Sequence, residues 1–87
     1  MFYVYVLRSQ KDKNLYIGYS EDLRRRFREH NQGKVPSTKN RAPLNLVYYE
    51  AYLAVSDAKH RENMLKRFSA SYVHLKKRIR NSLALFK

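Results

Sequence analysis

Phe2-Tyr3-Val4-Tyr5-Val6-Leu7-Arg8, then the polar run Ser9 to Asn14, then Leu15-Tyr16-Ile17-Gly18-Tyr19: the reading of this stretch decides the fold. Aromatic and β-branched residues alternate in the first run and recur in the second. Separated by a polar turn, they predict two strands forming a hairpin. Tyr5 and Tyr16 stand 11 positions apart, so a loop of even length places both on one face of the paired strands, with Tyr3 and Gly18 beside them. A glycine inside a strand points to a close approach to the backbone at that place. Read singly, the tyrosines are ordinary strand formers.

Working outward, Ser20 offers a helix N-cap, with Glu21 and Asp22 at the positive end of the helix dipole. The first helix is expected to run to about Gln32, where Gly33 can end it. Lys34 to Pro43 (KVPSTKNRAP) keeps no periodicity and reads as a surface loop. Leu44 to Ala54 contains LVYYEAY, a third strand. Ser56 can cap a second helix from Asp57 to about Phe68, Ser69 to Ser71 interrupt it, and a last helix takes Tyr72 to about Leu83. In that last helix Tyr72, Leu75, Ile79 and Leu83 form an apolar stripe, with Lys76, Lys77, Arg78 and Arg80 off it. The order β-β-α-β-α-α implies an α+β, sandwich-like fold: a small, mainly antiparallel three-stranded sheet flanked by helices, one domain over residues 1–87.

Composition narrows the function. Of the 87 residues, 19 are Lys or Arg and 7 are Asp or Glu, a net charge of +12 that favours an anionic partner, nucleic acid first. There is no cysteine, which excludes disulfides and thiolate metal sites. The longest apolar run, Tyr3 to Leu7, is far too short to span a bilayer, and no signal-like segment precedes it. The expected location is the cytoplasm, without membrane association. With two glycines in all, no phosphate-cradling loop is present and no small-molecule cofactor is expected.

Helical geometry, about 100° per residue, picks out further residues. Leu23, Phe27 and His30 share a narrow arc of the first helix, and Arg26 lies at its edge, while Arg24, Arg25 and Arg28 point away. On the second helix Ala58, Glu62 and Leu65 share an arc, which turns a carboxylate inward. Such a group needs a cation, either an arginine or a metal ion. A snorkelling Arg26, a boundary histidine and a structural ion pair are the plain alternatives.

The conjunction is where the chain resembles a family. Val4-Tyr5-Val6, Tyr16-Ile17-Gly18, Leu23-Arg24-Arg25-Arg26-Phe27-Arg28-Glu29-His30 and Arg61-Glu62-Asn63-Met64-Leu65 resemble the GIY-YIG nuclease superfamily in order and spacing. Ten residues separate Tyr5 from Tyr16, and Arg26 follows Gly18 by eight. The nearest likeness is to small stand-alone bacterial proteins of a single such domain, over about residues 2–68. The first motif reads Val-Tyr-Val in place of Gly-Ile-Tyr, with Tyr5 kept at the matching position, and the chain after Phe68 is less like the group's usual ending. The superfamily includes the 3′-incising domain of the bacterial excision-repair nuclease.

The resemblance implies a metal-dependent DNA endonuclease. Glu62 would be the protein ligand of Mg²⁺ or Mn²⁺, Tyr5 the general base or relay at the attacking water, and Arg26 its charge partner or phosphate clamp. Tyr16 would orient water or phosphate, His30 would assist proton transfer or hold phosphate, and Gly18 would leave room for the substrate backbone. To act as a base, a phenol of ordinary pKa near 10 needs positive charge to lower it. The exposed Arg24, Arg25 and Arg28, with Lys39 and Arg41 in the loop, are candidate contacts to DNA, or RNA, that would supply affinity and not sequence specificity. The expected substrates are therefore repair or recombination structures and not defined sequences. The alternative is a non-catalytic nucleic-acid-binding module of a repair or RNA-processing complex. Oligomeric state stays open.

Overall fold

The computed structural model describes residues 1–86. Its elements are β1 (Phe2–Ser9), β2 (Leu15–Ser20), α1 (Leu23–Asn31), β3 (Leu44–Tyr52), α2 (Val55–Arg67), α3 (Ser69–Arg78) and a short α4 (Arg80–Ala84). The strands form one antiparallel sheet in the order β2-β1-β3, so the expected hairpin is present and its first strand is central. Tyr5 faces Gly18 on one side and Tyr49 on the other, and Leu7 faces Tyr16, which puts Tyr3, Tyr5, Tyr16 and Gly18 on a common face.

The two faces of β1 bury different clusters. Val4 and Val6, with Ile17, pack against Ala58 and Leu65 of α2 and Leu75 and Ile79 at the end of α3. Tyr5 and Leu7, with Leu44, pack against Leu23 and Phe27 of α1. The sheet is thus sandwiched between α1 and the α2–α4 group. Residues after Phe68 complete the core: Leu75 and Ile79 are buried, and Tyr72 and Leu83 pack beside them. No helix among the described residues is long and apolar enough to cross a membrane.

One irregularity sets which residues of β3 face where. Val6 pairs with Tyr48 but Leu7 pairs with Leu46, so Val47 is an extra residue, a β-bulge. Leu44 and Leu46 therefore face α1, whereas Tyr48, Glu50 and Tyr52 face α2, although all five positions are even-numbered.

Several helix limits differ from the expected ones. Asp22, not Ser20, caps α1: its Oδ1 accepts from the Arg25 amide at 3.1 Å, while Ser20 Oγ closes the preceding turn onto Asp22. Ser56 caps nothing, because α2 already starts at Val55 after an extended Ala54. The break between α2 and α3 falls at Phe68, whose backbone is extended, so Ser69 to Ser71 are helical. The last helix kinks at Ile79.

Candidate active site

Gly18 explains how the site is built. A Cβ at this position would land inside the ring of Tyr5, so the missing side chain is the space into which that ring lies. The close approach expected at Gly18 is made by the ring of Tyr5. With its ring laid across β2, Tyr5 is 1% exposed and its hydroxyl meets Nε2 of His30 at 2.7 Å.

His30 is fully buried, as its place on the inward arc of α1 suggests. Its Nδ1 lies 2.6 Å from Oγ1 of Thr38, itself fully buried in the loop after α1. Both ring nitrogens are therefore engaged, and a neutral imidazole must donate through one and accept at the other. Burial, helped by the nearby Arg26 guanidinium, pushes the His30 pKa down to about 4, so the ring is neutral at pH 7. The Tyr16 ring meets His30 edge-on at 5.1 Å between centroids, and Tyr5 meets it at 5.6 Å. Ser37 donates to the Tyr16 hydroxyl at 3.2 Å. Thr38 and Ser37 carry no periodic signal in the sequence. Only the folding of the loop back onto α1 brings them here.

Arg26 lies at the rim, donating to Glu29 at 3.3 Å, with its guanidinium close enough to Tyr5 to favour the phenolate. Burial outweighs this, and the Tyr5 pKa rises to about 12. The lowering expected from neighbouring positive charge is not realised in the free protein: Tyr5 is a protonated phenol, hydrogen-bonded to a neutral imidazole.

Glu62 lies on α2 in the opposite layer, near enough for its charge to help raise the Tyr5 pKa. Lys66, one turn further along α2, pairs with it at 3.0 Å and holds its ammonium 5.9 Å from the centre of the Tyr16 ring. Lys59, one turn earlier, lies over Tyr19. This flank of α2 thus runs along β2, an edge strand, with the Lys66 partner of Glu62 beside the Tyr16 ring. The inward carboxylate does find a cation, but it is a lysine that the helical arc did not identify, and the Glu62 side chain keeps 23% of its exposure. Among the described residues no three His, Asp or Glu side chains cluster as a metal cage. A lone, partly exposed carboxylate suits a hard ion such as Mg²⁺, which retains most of its waters and shares its ligands with a phosphate.

The other candidates separate into two groups. Arg24, Arg25, Arg28 and Lys39 are exposed. Arg41 is half-buried and already paired: its guanidinium grips Asp12 in the hairpin turn at 2.6 Å and reaches the Leu15 carbonyl, while its own carbonyl accepts from Ser9 Oγ. It fastens the loop to the sheet, and in return holds the Asp12 carboxyl down at about 2.

Comparison with known proteins agrees with this geometry. Residues 1–78 match the family model described as the GIY-YIG catalytic domain. A UPF0213 protein of Staphylococcus saprophyticus is 41% identical over 68 residues, 77% of this chain and 82% of that protein. UPF0213 proteins of Haloquadratum walsbyi, 40% identical over 68 residues (77% of this chain, 75% of that one), and of Clostridium perfringens, 37% over 70 residues (79% and 74%), are similar. No solved structure matches significantly. GIY-YIG domains are nucleases, which act on nucleic acid and generally use divalent metal ions. A family match over nine-tenths of the chain, on a sheet and helix arrangement that carries both motif tyrosines on one face, leaves one assignment: this chain belongs to the GIY-YIG family.

Proposed function

We propose that this domain is a Mg²⁺-dependent DNA endonuclease of the cytoplasm, selecting repair or recombination structures and not defined sequences. The observation that carries this reading is the buried chain Tyr5–His30–Thr38, opening beside Tyr16 and Arg26 with a carboxylate, Glu62, at the same edge. A binding module has no use for a desolvated phenol in line with a desolvated imidazole.

Glu62 would hold the ion, exchanging Lys66 for it. When bound, such an ion supplies Lewis acidity at the phosphodiester and its leaving 3′ oxygen. Arg26, at the rim, receives a non-bridging phosphate oxygen, and the negative charge so acquired offsets the smaller, Arg26 part of what holds His30 neutral, burial being the larger. The attacking water gives a proton to the Tyr5 oxygen while Tyr5 passes its own to Nε2 of His30, and the resulting imidazolium is held through Nδ1 by Thr38. The water oxygen bonds to phosphorus as the bond to the 3′ oxygen breaks, and that oxygen takes a proton from solvent. The products are a 5′ phosphate and a 3′ hydroxyl. Tyr16, steadied by Ser37, orients the water. Arg24, Arg25, Arg28 and Lys39 contact phosphates without reading bases.

The test is cleavage of linear, nicked, flapped and four-way-junction DNA in Mg²⁺, Mn²⁺ or chelator, by the wild type, Tyr5→Phe and Glu62→Gln. Cleavage that needs metal and falls at least 100-fold in both variants, with melting temperatures kept within a few degrees, is the expected result. Tight binding without cutting under every condition would instead identify a nucleic-acid-binding module.

A further inference from the structure

Among the described residues, the most densely bonded carboxylate lies outside this site. Glu50 of β3 is 14% exposed at its side chain and accepts from Arg61 Nε at 3.0 and 3.1 Å and from Arg61 Nη2 at 3.0 Å. It also accepts from the hydroxyl of Tyr48 at 2.8 Å and from that of Tyr52. Every ionic and hydroxyl donor in this group converges on one side chain, in a planar fork that fixes distance and angle together.

Its place in the fold gives it a consequence. Arg61 directly precedes Glu62 on α2, about 100° away round the helix axis. Arg61 is tied to β3, one edge of the sheet, while Lys66 and Lys59 lie over tyrosines of β2, the other edge. The apolar contacts of α2, through Ala58 and Leu65, hold the helix against the sheet by packing alone, which resists a small roll less than a directional, forked ion pair does. On a helix of side-chain radius about 5–6 Å, a roll of about 20° moves a side-chain tip by about 2 Å. A misplacement of about 1 Å can cost 100-fold in rate.

We propose that Glu50 and Arg61 are positioning residues: their forked ion pair, braced by Tyr48 and Tyr52, fixes the roll of α2 and so aims Glu62 at the tyrosine face. This rests on the role of Glu62 proposed above. The pair lies on the far flank of α2 and touches no reacting atom, so it acts through the helix alone.

The experiment uses Glu50→Gln and Arg61→Lys, which keep size and some hydrogen bonding but lose the charged fork, with Leu83→Ala as a control that loosens the core elsewhere. Two readouts are taken on the full chain. The first is the nuclear Overhauser contact between the Lys66 side chain and the Tyr16 ring, which needs no activity. It is expected to fade in both clamp variants and persist in Leu83→Ala. The second is cleavage and the Mn²⁺ concentration giving half-maximal rate. In the clamp variants kcat falls and half-saturation rises 10- to 100-fold, with KM for DNA nearly unchanged and the double variant no worse than either single one. Leu83→Ala changes neither at temperatures where it is folded. Clamp variants that keep the Lys66–Tyr16 contact and cut within twofold of wild type overturn the proposal, as do losses that Leu83→Ala reproduces at an equal drop in melting temperature. A wild type that cuts nothing, or a Glu62→Gln protein that cuts normally, counts against the nuclease reading instead, and the nuclear Overhauser contact then decides the clamp by itself.

Discussion

At the scale of single residues, the molecule buries a hydrogen-bonded phenol and imidazole. His30 and Tyr5 are buried almost completely, and burial works on each in the same sense, against charge: the imidazole falls to about 4 and the phenol rises to about 12. For His30 this makes stability depend on pH. The unfolded chain takes up the imidazole proton near pH 6.5, the folded one only near 4, so the unfolded state binds more protons between those values. The contribution is whole above about pH 6.5 and is lost as the pH falls through about 4, a loss on the order of 3 kcal/mol. Urea unfolding at pH 4 to 7 should show it, and His30→Gln should flatten the curve over that interval. Asp12, held at about 2 by Arg41, loses its contribution at lower pH still, and Glu50, held down by Arg61, loses its own as the pH falls below the ordinary carboxylate range.

At the scale of elements, α3 shows what lies beyond the recognisable motifs. Leu75 is 1% exposed between the sheet and α2, and Leu75→Ala should lower the unfolding free energy by about 2–4 kcal/mol, read from the urea midpoint. The stripe Tyr72, Leu75, Ile79, Leu83 was legible in the sequence, and the kink at Ile79 was not. The amide of Ile79 still bonds to the Leu75 carbonyl, and that of Leu83 to the Ile79 carbonyl, so apolar spacing passes through the kink without a mark. The hairpin, the inward arc of α1 and the shared face of Tyr5 and Tyr16 were equally legible, because period and register are local quantities. The loop was not. Thr38, Ser37 and Arg41 acquire their partners only when Lys34 to Pro43 folds back on the sheet, a tertiary event with no repeat to announce it. The same holds for Glu50 and Arg61, eleven residues apart and joined across two elements.

At the scale of the whole molecule, charge is distributed by a simple rule. Asp12, Glu29, Glu50 and Glu62 are each taken up by a lysine or arginine in an ion pair, and Asp22 is spent on a helix cap. Most of the net +12 therefore sits on exposed side chains of a body only 31 × 27 × 20 Å. Nucleic-acid affinity should fall steeply with salt, and replacing Arg24, Arg25 and Arg28 together by alanine should reduce the slope of log K against log salt by about 3. Arg41→Ala should leave that slope unchanged and lower the melting temperature, because its guanidinium is committed to Asp12. Titrations of a labelled duplex across a salt series measure both.

The bulge at Val47 gives β3 two phases. Before it, even-numbered residues serve the layer of α1; after it, even-numbered residues serve the layer of α2. One inserted residue thus works as a switch of address, letting a single edge strand supply leucines to the wall behind Tyr5 and a carboxylate to the helix that carries Glu62. Were Val47 drawn into regular pairing, with no bulge to absorb it, every later residue of the strand would change faces: Tyr49 would go to the helix and Glu50 to the wrong side of the sheet. The two layers on either side of the sheet are kept in step by counting, and the bulge is what keeps the count.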